Sequence, residues 1–232
     1  MTKWLASVQS QAEAQILLPA LPDILDMKNP SKGALGALDV EIVAAIVKLI
    51  DGRCQTSATI GDLPMQADII KQAMIAMARS NVDYVKIGLF PDQNLAHCIQ
   101  LLEDTVKQLD TPVIAVLFAD KMPDDDCIEL LKSTGFYGVM VDTAIKNGQH
   151  LLDHWDETQL TRFVEQAQQQ KLLCGLAGAL RVEDIELLQP FNADYLGFRS
   201  ALCEQRQRTS SLQLSLAKQI KEIINSNAAV AA

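Results

Sequence analysis

Val113-Ile114-Ala115-Val116-Leu117-Phe118 is an unbroken apolar run of strand-forming residues. A strand that is apolar on both faces has to be covered on both, which is the situation of a parallel strand packed beneath helices. Just upstream, Leu95, Ile99, Leu102, Val106 and Leu109 recur at the spacing of one helix face. The same alternation continues outward from this pair. Strands are expected at Trp4–Val8, Ile24–Lys28, Thr56–Ile60, Tyr84–Gly88, Gly138–Asp142, Leu173–Ala177 and Tyr195–Phe198. Helical spacing returns at Leu160, Phe163, Val164 and Ala167, and again at Leu212, Leu216, Ile220 and Ile223. Asp39 reads as the N-cap of a helix over Val40–Ile50. The first helix, expected at Gln9–Pro19, is the faintest, because Ile16-Leu17-Leu18 also reads as a strand. Eight strand–helix units count out an α/β protein with a single (β/α)8 TIM barrel over residues 1–225 and a flexible tail over 226–232. A doubly wound open sheet is the alternative, but no G-x-G-x-x-G turn follows the first strand.

The 232 residues carry 20 Lys and Arg against 29 Asp and Glu, a formal net charge of −9. Such a surface repels nucleic-acid backbones and anionic lipid, so neither is an expected partner. Five widely spaced cysteines form no C-x-x-C pair, which fits a reducing cytoplasm better than a disulfide or zinc scaffold. The N-terminus lacks the apolar core of a secretory signal, and no apolar run approaches a bilayer span. A cytoplasmic protein, assembled as a homo-oligomer, is expected.

The chemistry lies in charges placed inside apolar strands. Because strand side chains alternate, Asp26 and Lys28 share one face of Ile24–Lys28, opposite Leu25 and Met27. Lys86 likewise opposes Val85 and Ile87, Asp142 ends its strand, and Lys146 lies in the turn beyond. With the apolar faces towards the helices, Asp26, Lys28, Lys86 and Asp142 point into the barrel from strands two, four and six, which contribute to one interior layer. Any one of them alone is most simply a structural ion pair or a lysine reaching for water. Several desolvated charges in one mouth are costly enough to indicate a function. A desolvated lysine among other cations has a depressed pKa and serves as the amine of a Schiff base, with carboxylates moving protons. The loops Gly175–Ala179 and Gly197–Ser200 close strands seven and eight, where barrels bind phosphate, so Gly178, Ala179, Gly197, Arg199 and Ser200 are the candidate phosphate ligands.

These residues also carry a resemblance. Asp26-Met27-Lys28-Asn29-Pro30-Ser31-Lys32-Gly33-Ala34-Leu35-Gly36-Ala37 resembles the D-V-K-N-P-x-x-G-x-L-G-A signature of the (5-formylfuran-3-yl)methyl phosphate synthase family. Ser57-Ala58-Thr59-Ile60-Gly61-Asp62-Leu63-Pro64, Tyr84-Val85-Lys86-Ile87-Gly88-Leu89 and Asp142-Thr143-Ala144-Ile145-Lys146-Asn147-Gly148 are similar to its later motifs, as are the two glycine loops. The resemblance implies a barrel lyase that needs neither metal nor organic cofactor. It would join two glyceraldehyde 3-phosphate molecules, with loss of phosphate and water, into a furan for methanofuran or methylofuran. Carried over by motif, Lys28 is the Schiff-base lysine, and Asp26, Lys86, Asp142 and Lys146 are its companions in the site. The chain departs from the pattern at Ala179 (Ser expected), at Ser200 (Gly expected) and in Glu204-Gln205-Arg206-Gln207-Arg208, which replaces a more glycine-rich segment.

Other signals read as structural. His150 and His154, with Asp153 and Asp156, have ligand spacing but suit a polar turn at a helix start. His97 is placed on the solvent side of its helix, and Asp124-Asp125-Asp126 at a helix N-terminus. The competing functions are a class I aldolase acting on another sugar phosphate and a non-catalytic barrel that senses a phosphorylated metabolite.

Overall fold

A computed structural model describes residues 2–122 and 127–230. The strands β1 (Lys3–Val8), β2 (Ile24–Met27), β3 (Gln55–Thr59), β4 (Tyr84–Gly88), β5 (Val113–Phe118), β6 (Gly138–Asp142), β7 (Leu173–Leu176) and β8 (Tyr195–Phe198) pair in parallel, in sequence order. Pairing of β1 with β8 through Leu5 and Gly197 closes the sheet, so the chain is a single (β/α)8 barrel. An open sheet is thereby excluded.

The side-chain alternation sorts the core into two parts. Trp4, Ala6, Leu25, Met27, Val85, Ile87, Val139 and Val141 face outward into the layer between barrel and helices. Leu5, Ile24, Tyr84, Ile114, Val116, Phe118, Met140 and Tyr195 fill the barrel interior. The unbroken run in β5 is apolar because it serves both layers: Val113, Ala115 and Leu117 outside, Ile114, Val116 and Phe118 inside.

Helices α1 (Gln11–Leu17), α2 (Val40–Ile50), α3 (Ala67–Ala78), α4 (Leu95–Gln108), α5 (Cys127–Thr134), α6 (Leu151–His154), α7 (Glu157–Gln169), α8 (Asp184–Leu188) and α9 (Leu214–Val230) follow the strands. The first helix is shorter than its pattern predicts. Ser10 caps its N-terminus by accepting from Glu13 N, and the chain tightens into a 3-10 turn over Leu18–Ala20, where Pro19 supplies no amide hydrogen. Asp39 does precede α2, although its side chain makes no capping bond. The last helix runs to Val230, into the stretch whose composition reads as a tail. Asp124-Asp125-Asp126 lies outside the described residues. No helix among those described is long and apolar enough to cross a membrane.

Candidate active site

Register builds the first half of the site. Asp26 on β2 stands level with Ser7 on β1 and Ser57 on β3, and both hydroxyls donate to its carboxylate, at 3.0 and 2.7 Å. Lys86, inward on β4, reaches the same carboxylate at 3.0 Å. This pair is dry, with side-chain exposures of 0% for Asp26 and 2% for Lys86. Burial pushes the Asp26 carboxyl up, but Lys86, Lys28 and Ser57 outweigh it and hold the group below the usual carboxylate range. Burial pushes the Lys86 ammonium below the usual lysine range against the pull of Asp26.

The second half comes from β6. Asp142 accepts from Lys146 Nζ at 3.0 Å and from the Thr143 amide at 2.7 Å. Burial raises the Asp142 carboxyl, yet Lys146 and Lys28 bring it far below its ordinary value. Lys146 is lowered by burial and by Lys28, against Asp142. Between the two pairs stands Lys28, one residue beyond the end of β2. Its Nζ lies 3.6 Å from Asp142 and makes no hydrogen bond among the described residues. Lys28, Lys86, Asp142 and Lys146 all line one cavity of about 390 Å³ at the C-terminal mouth of the barrel. Asp26 closes the floor behind Lys86.

The loops that fix these groups use carboxylates whose roles sequence reasoning missed. Asp62 accepts from the amides of Ala34 and Leu35 at 2.8 and 2.7 Å, fastening the loop after Lys28. Gly33 has a φ of +104°, and a Cβ there would fall 2.0 Å from Asp62 Oδ2, so the loop requires glycine. Asp120 accepts from the amides of Ala144 and Ile145, both at 2.7 Å, and so places the turn carrying Lys146. Asp62 stood within a motif already singled out. Nothing local marked Asp120.

The phosphate candidates separate into two groups. Gly178 and Ala179 take φ values of +115° and +50° past β7, and the cavity lies against both, as it does against Ser200. No acceptor among the described residues takes the amide hydrogens of Gly178, Ala179 or Ser200. Such a set of free amides suits a phosphate. Gly197 faces inward from β8 and forms part of the floor. Arg199 does otherwise than its position in the loop led one to expect. Its guanidinium is turned away into a pair with Glu13 on α1, with Nη2 donating to Oε1 at 3.0 Å. It also donates to the carbonyls of Ser7 at 3.1 Å and Arg208 at 2.7 Å. With four of its five N–H donors so engaged, Arg199 ties β1, α1 and the segment after β8 together, and it still lines the cavity. Glu13, separated by 186 residues, gave no sign of this partnership in the sequence.

His150 Nδ1 meets Asp184 at 3.0 Å and its Nε2 meets Asp153 at 3.5 Å. Leu151 N, next to it, donates to Gly178 O at 2.9 Å. The segment thus ties the loop after β6 to the loop after β7. No group of three metal-binding side chains converges among the described residues. All five cysteines are free thiols, and burial pushes each of them up, Cys54 and Cys127 to about 11.

Known proteins share this chain's sequence pattern and fold. A protein of Methylorubrum extorquens, provisionally given the name (5-formylfuran-3-yl)methyl phosphate synthase, is 38% identical over 90% of this chain and 85% of its own. The (5-formylfuran-3-yl)methyl phosphate synthase of Methanocaldococcus jannaschii is 32% identical over 91% of this chain and 94% of its own. Among solved structures, phosphoribosyl anthranilate isomerase from Thermus thermophilus superposes with a TM-score of 0.67 at 10% identity, over 97% of this chain and 99% of that one, a likeness of fold alone. The family model described as 4-HFC-P synthase matches residues 4–221, which span all eight strands and the lysine–carboxylate cluster. The chain belongs to the 4-HFC-P synthase family.

Proposed function

We propose that this protein is a Schiff-base lyase that condenses two molecules of glyceraldehyde 3-phosphate into (5-formylfuran-3-yl)methyl phosphate. The observation that carries the reading is Lys28. Its amine faces the cavity unbonded, between the Lys86–Asp26 and Asp142–Lys146 pairs. An ammonium engaged as firmly as Lys86 would be a poor nucleophile, whereas an accessible amine 3.6 Å from a carboxylate has both its target space and its proton acceptor.

In this scheme Lys28 adds to the aldehyde of the first triose, and water leaves to form the imine. The iminium acidifies the neighbouring C–H, Asp142 takes that proton, and phosphate leaves the third carbon, which becomes an enol carbon nucleophile. The second triose, isomerised to its dihydroxyacetone-like ketone with Lys86 moving the proton, is attacked at its carbonyl carbon, forming the carbon–carbon bond. Ring closure, loss of two waters and hydrolysis of the imine free Lys28. Two triose phosphates less one phosphoric acid and two waters give the product, so no oxidant or reductant is required. Holding both trioses in one cavity turns an encounter of two dilute aldehydes into a step between neighbours. The amides of Gly178, Ala179 and Ser200 hold the phosphate that remains on the product. The furan would serve a one-carbon carrier of the methanofuran or methylofuran type.

The test is incubation with glyceraldehyde 3-phosphate alone. A conjugated furan aldehyde should grow in by ultraviolet absorbance and mass, with equimolar phosphate released. Borohydride quenching should leave a reduced adduct on Lys28 by peptide mass, and Lys28→Arg should abolish both signals, since a guanidinium forms no such imine. An adduct mapping to Lys86 or Lys146 would reject Lys28 as the nucleophile. Turnover of another sugar phosphate without furan formation would favour an ordinary aldolase.

A further inference from the structure

The hairpin after β8 carries an arginine for which the scheme above has no task. Cys203 and Leu212 form an antiparallel bridge, and Glu204 N donates to Ser211 O at 3.1 Å, so the residues between them fold back over the β8 side of the cavity. Gln205 and Arg206 hold φ values of 51° and 56° in this hairpin, a left-handed conformation uncommon for residues with a Cβ. From here Arg208 crosses the mouth, and its Nη2 donates to the carbonyls of Pro30 and Gly33, in the loop that begins at Lys28. Its own carbonyl accepts from Arg199 Nε at 2.7 Å, and Arg199 is in turn anchored by Glu13. A buried ion pair therefore fixes where Arg208 stands.

Nε and Nη1 of Arg208 have no acceptor among the described residues, and the residue lines the cavity together with Lys28 and Lys146. We propose that Arg208, with Lys146, binds the phosphate that leaves during the reaction, at a site separate from the free amides of Gly178, Ala179 and Ser200. This rests on the reading of the protein as a synthase that expels one of two triose phosphates. The division follows from charge. A retained phosphate changes little during turnover and is served by fixed backbone amides. A leaving phosphate gains charge, which fixed cations meet more strongly than neutral donors.

The step balances within the site. Asp142 takes the proton from carbon, the new C=C bond forms, and the C–O bond breaks with its electron pair on the departing phosphate. Lys146 gives that phosphate a proton while Arg208 meets its remaining charge. The proton on Asp142 then returns to Lys146 across their 3.0 Å hydrogen bond. Burial and Arg208 both lower the Lys146 ammonium, which makes it a readier proton donor than a free lysine.

Inorganic phosphate alone tests the site without any triose. Titration followed by calorimetry and phosphorus NMR should show two phosphates per wild-type chain. Arg208→Gln should weaken one of them about tenfold or more, and Arg208→Lys, which keeps the charge, should weaken it less. In Arg208→Gln, borohydride trapping of glyceraldehyde 3-phosphate on Lys28 should persist while phosphate release slows. Identical phosphate binding in wild type and Arg208→Gln would overturn the proposal. So would loss of thermal stability and trapping together in Arg208→Gln and Arg208→Lys alike, which would make Arg208 a strap between loops. A wild type that binds two phosphates but traps no triose would count against the synthase reading, not against the phosphate site.

Discussion

Replacing Asp26 by Asn keeps the shape of the side chain and removes its charge. In the native barrel that charge faces Lys86 Nζ at 3.0 Å, with 0% and 2% of the two side chains exposed. At an effective dielectric constant near 20, the attraction lost is about 5 kcal/mol. Lys86 has an escape, because it can shed its proton. From an ordinary lysine pKa to pH 7 that costs at most about 4.6 kcal/mol. Burial already lowers the Lys86 pKa, so the actual cost is smaller. The expected destabilisation at pH 7 is therefore about 3 kcal/mol, at the lower end of what breaking a buried pair costs.

The pH dependence distinguishes this account from a mere packing defect. Asp26 has a depressed folded-state pKa, so its contribution in the wild type is present above the unfolded carboxylate pKa and is lost only as pH falls through the folded value. In Asp26→Asn the folded Lys86 pKa drops further, and the unfolded chain binds one proton more than the folded chain over the window up to the ordinary lysine value. Stability of the variant should then climb relative to wild type by about 1.4 kcal/mol per pH unit, until the pH passes the lowered value that Lys86 has in the wild type. Urea unfolding from pH 6 to 9 reads the difference. Adding Lys86→Met to Asp26→Asn removes the stranded ammonium and should recover most of the loss. A deficit below about 1 kcal/mol at pH 7, or one that stays constant from pH 6 to 9, would refute the reasoning.

Lys86→Met should cut furan formation by about 100-fold, the lower range for losing one proton-transfer group, while the borohydride adduct on Lys28 still forms. Single-turnover trapping against steady-state absorbance separates the two effects. Glu13→Gln leaves the Arg199 guanidinium buried without a counter-charge, so thermal unfolding should show a loss of about 3 kcal/mol; an unchanged midpoint would deny Arg199 its anchoring role. Prolonged chelation and assay in metal-free buffer should leave turnover intact, and activity restored by zinc or magnesium would bring His150 and His154 back as ligands.

The fold and the lysine–carboxylate cluster were legible for the same reason. A barrel strand has a period of two, and its outer face is bound to be apolar by the helices that cover it. Once Leu25 and Met27 face out, Asp26 must face in, and the same parity sends Lys86 and Asp142 inward. Parity names a face but not a partner. That Asp26 would take Lys86 and two serine hydroxyls, and that Asp142 would approach Lys28, depends on the stagger between strands, which no single strand encodes. The loops were less legible because nothing periodic governs them. Arg199 sits where a phosphate ligand belongs, yet closure of β8 against β1 brings Glu13 to it first, and the stronger buried charge takes the guanidinium. That same closure lets Arg199 hold the carbonyl of Arg208, nine positions on, in the segment that departs from the family pattern. The strands of this barrel therefore place the lysine–carboxylate cluster through their alternation, while the partners of the loop arginines depend on chain closure and have to be read from the folded molecule.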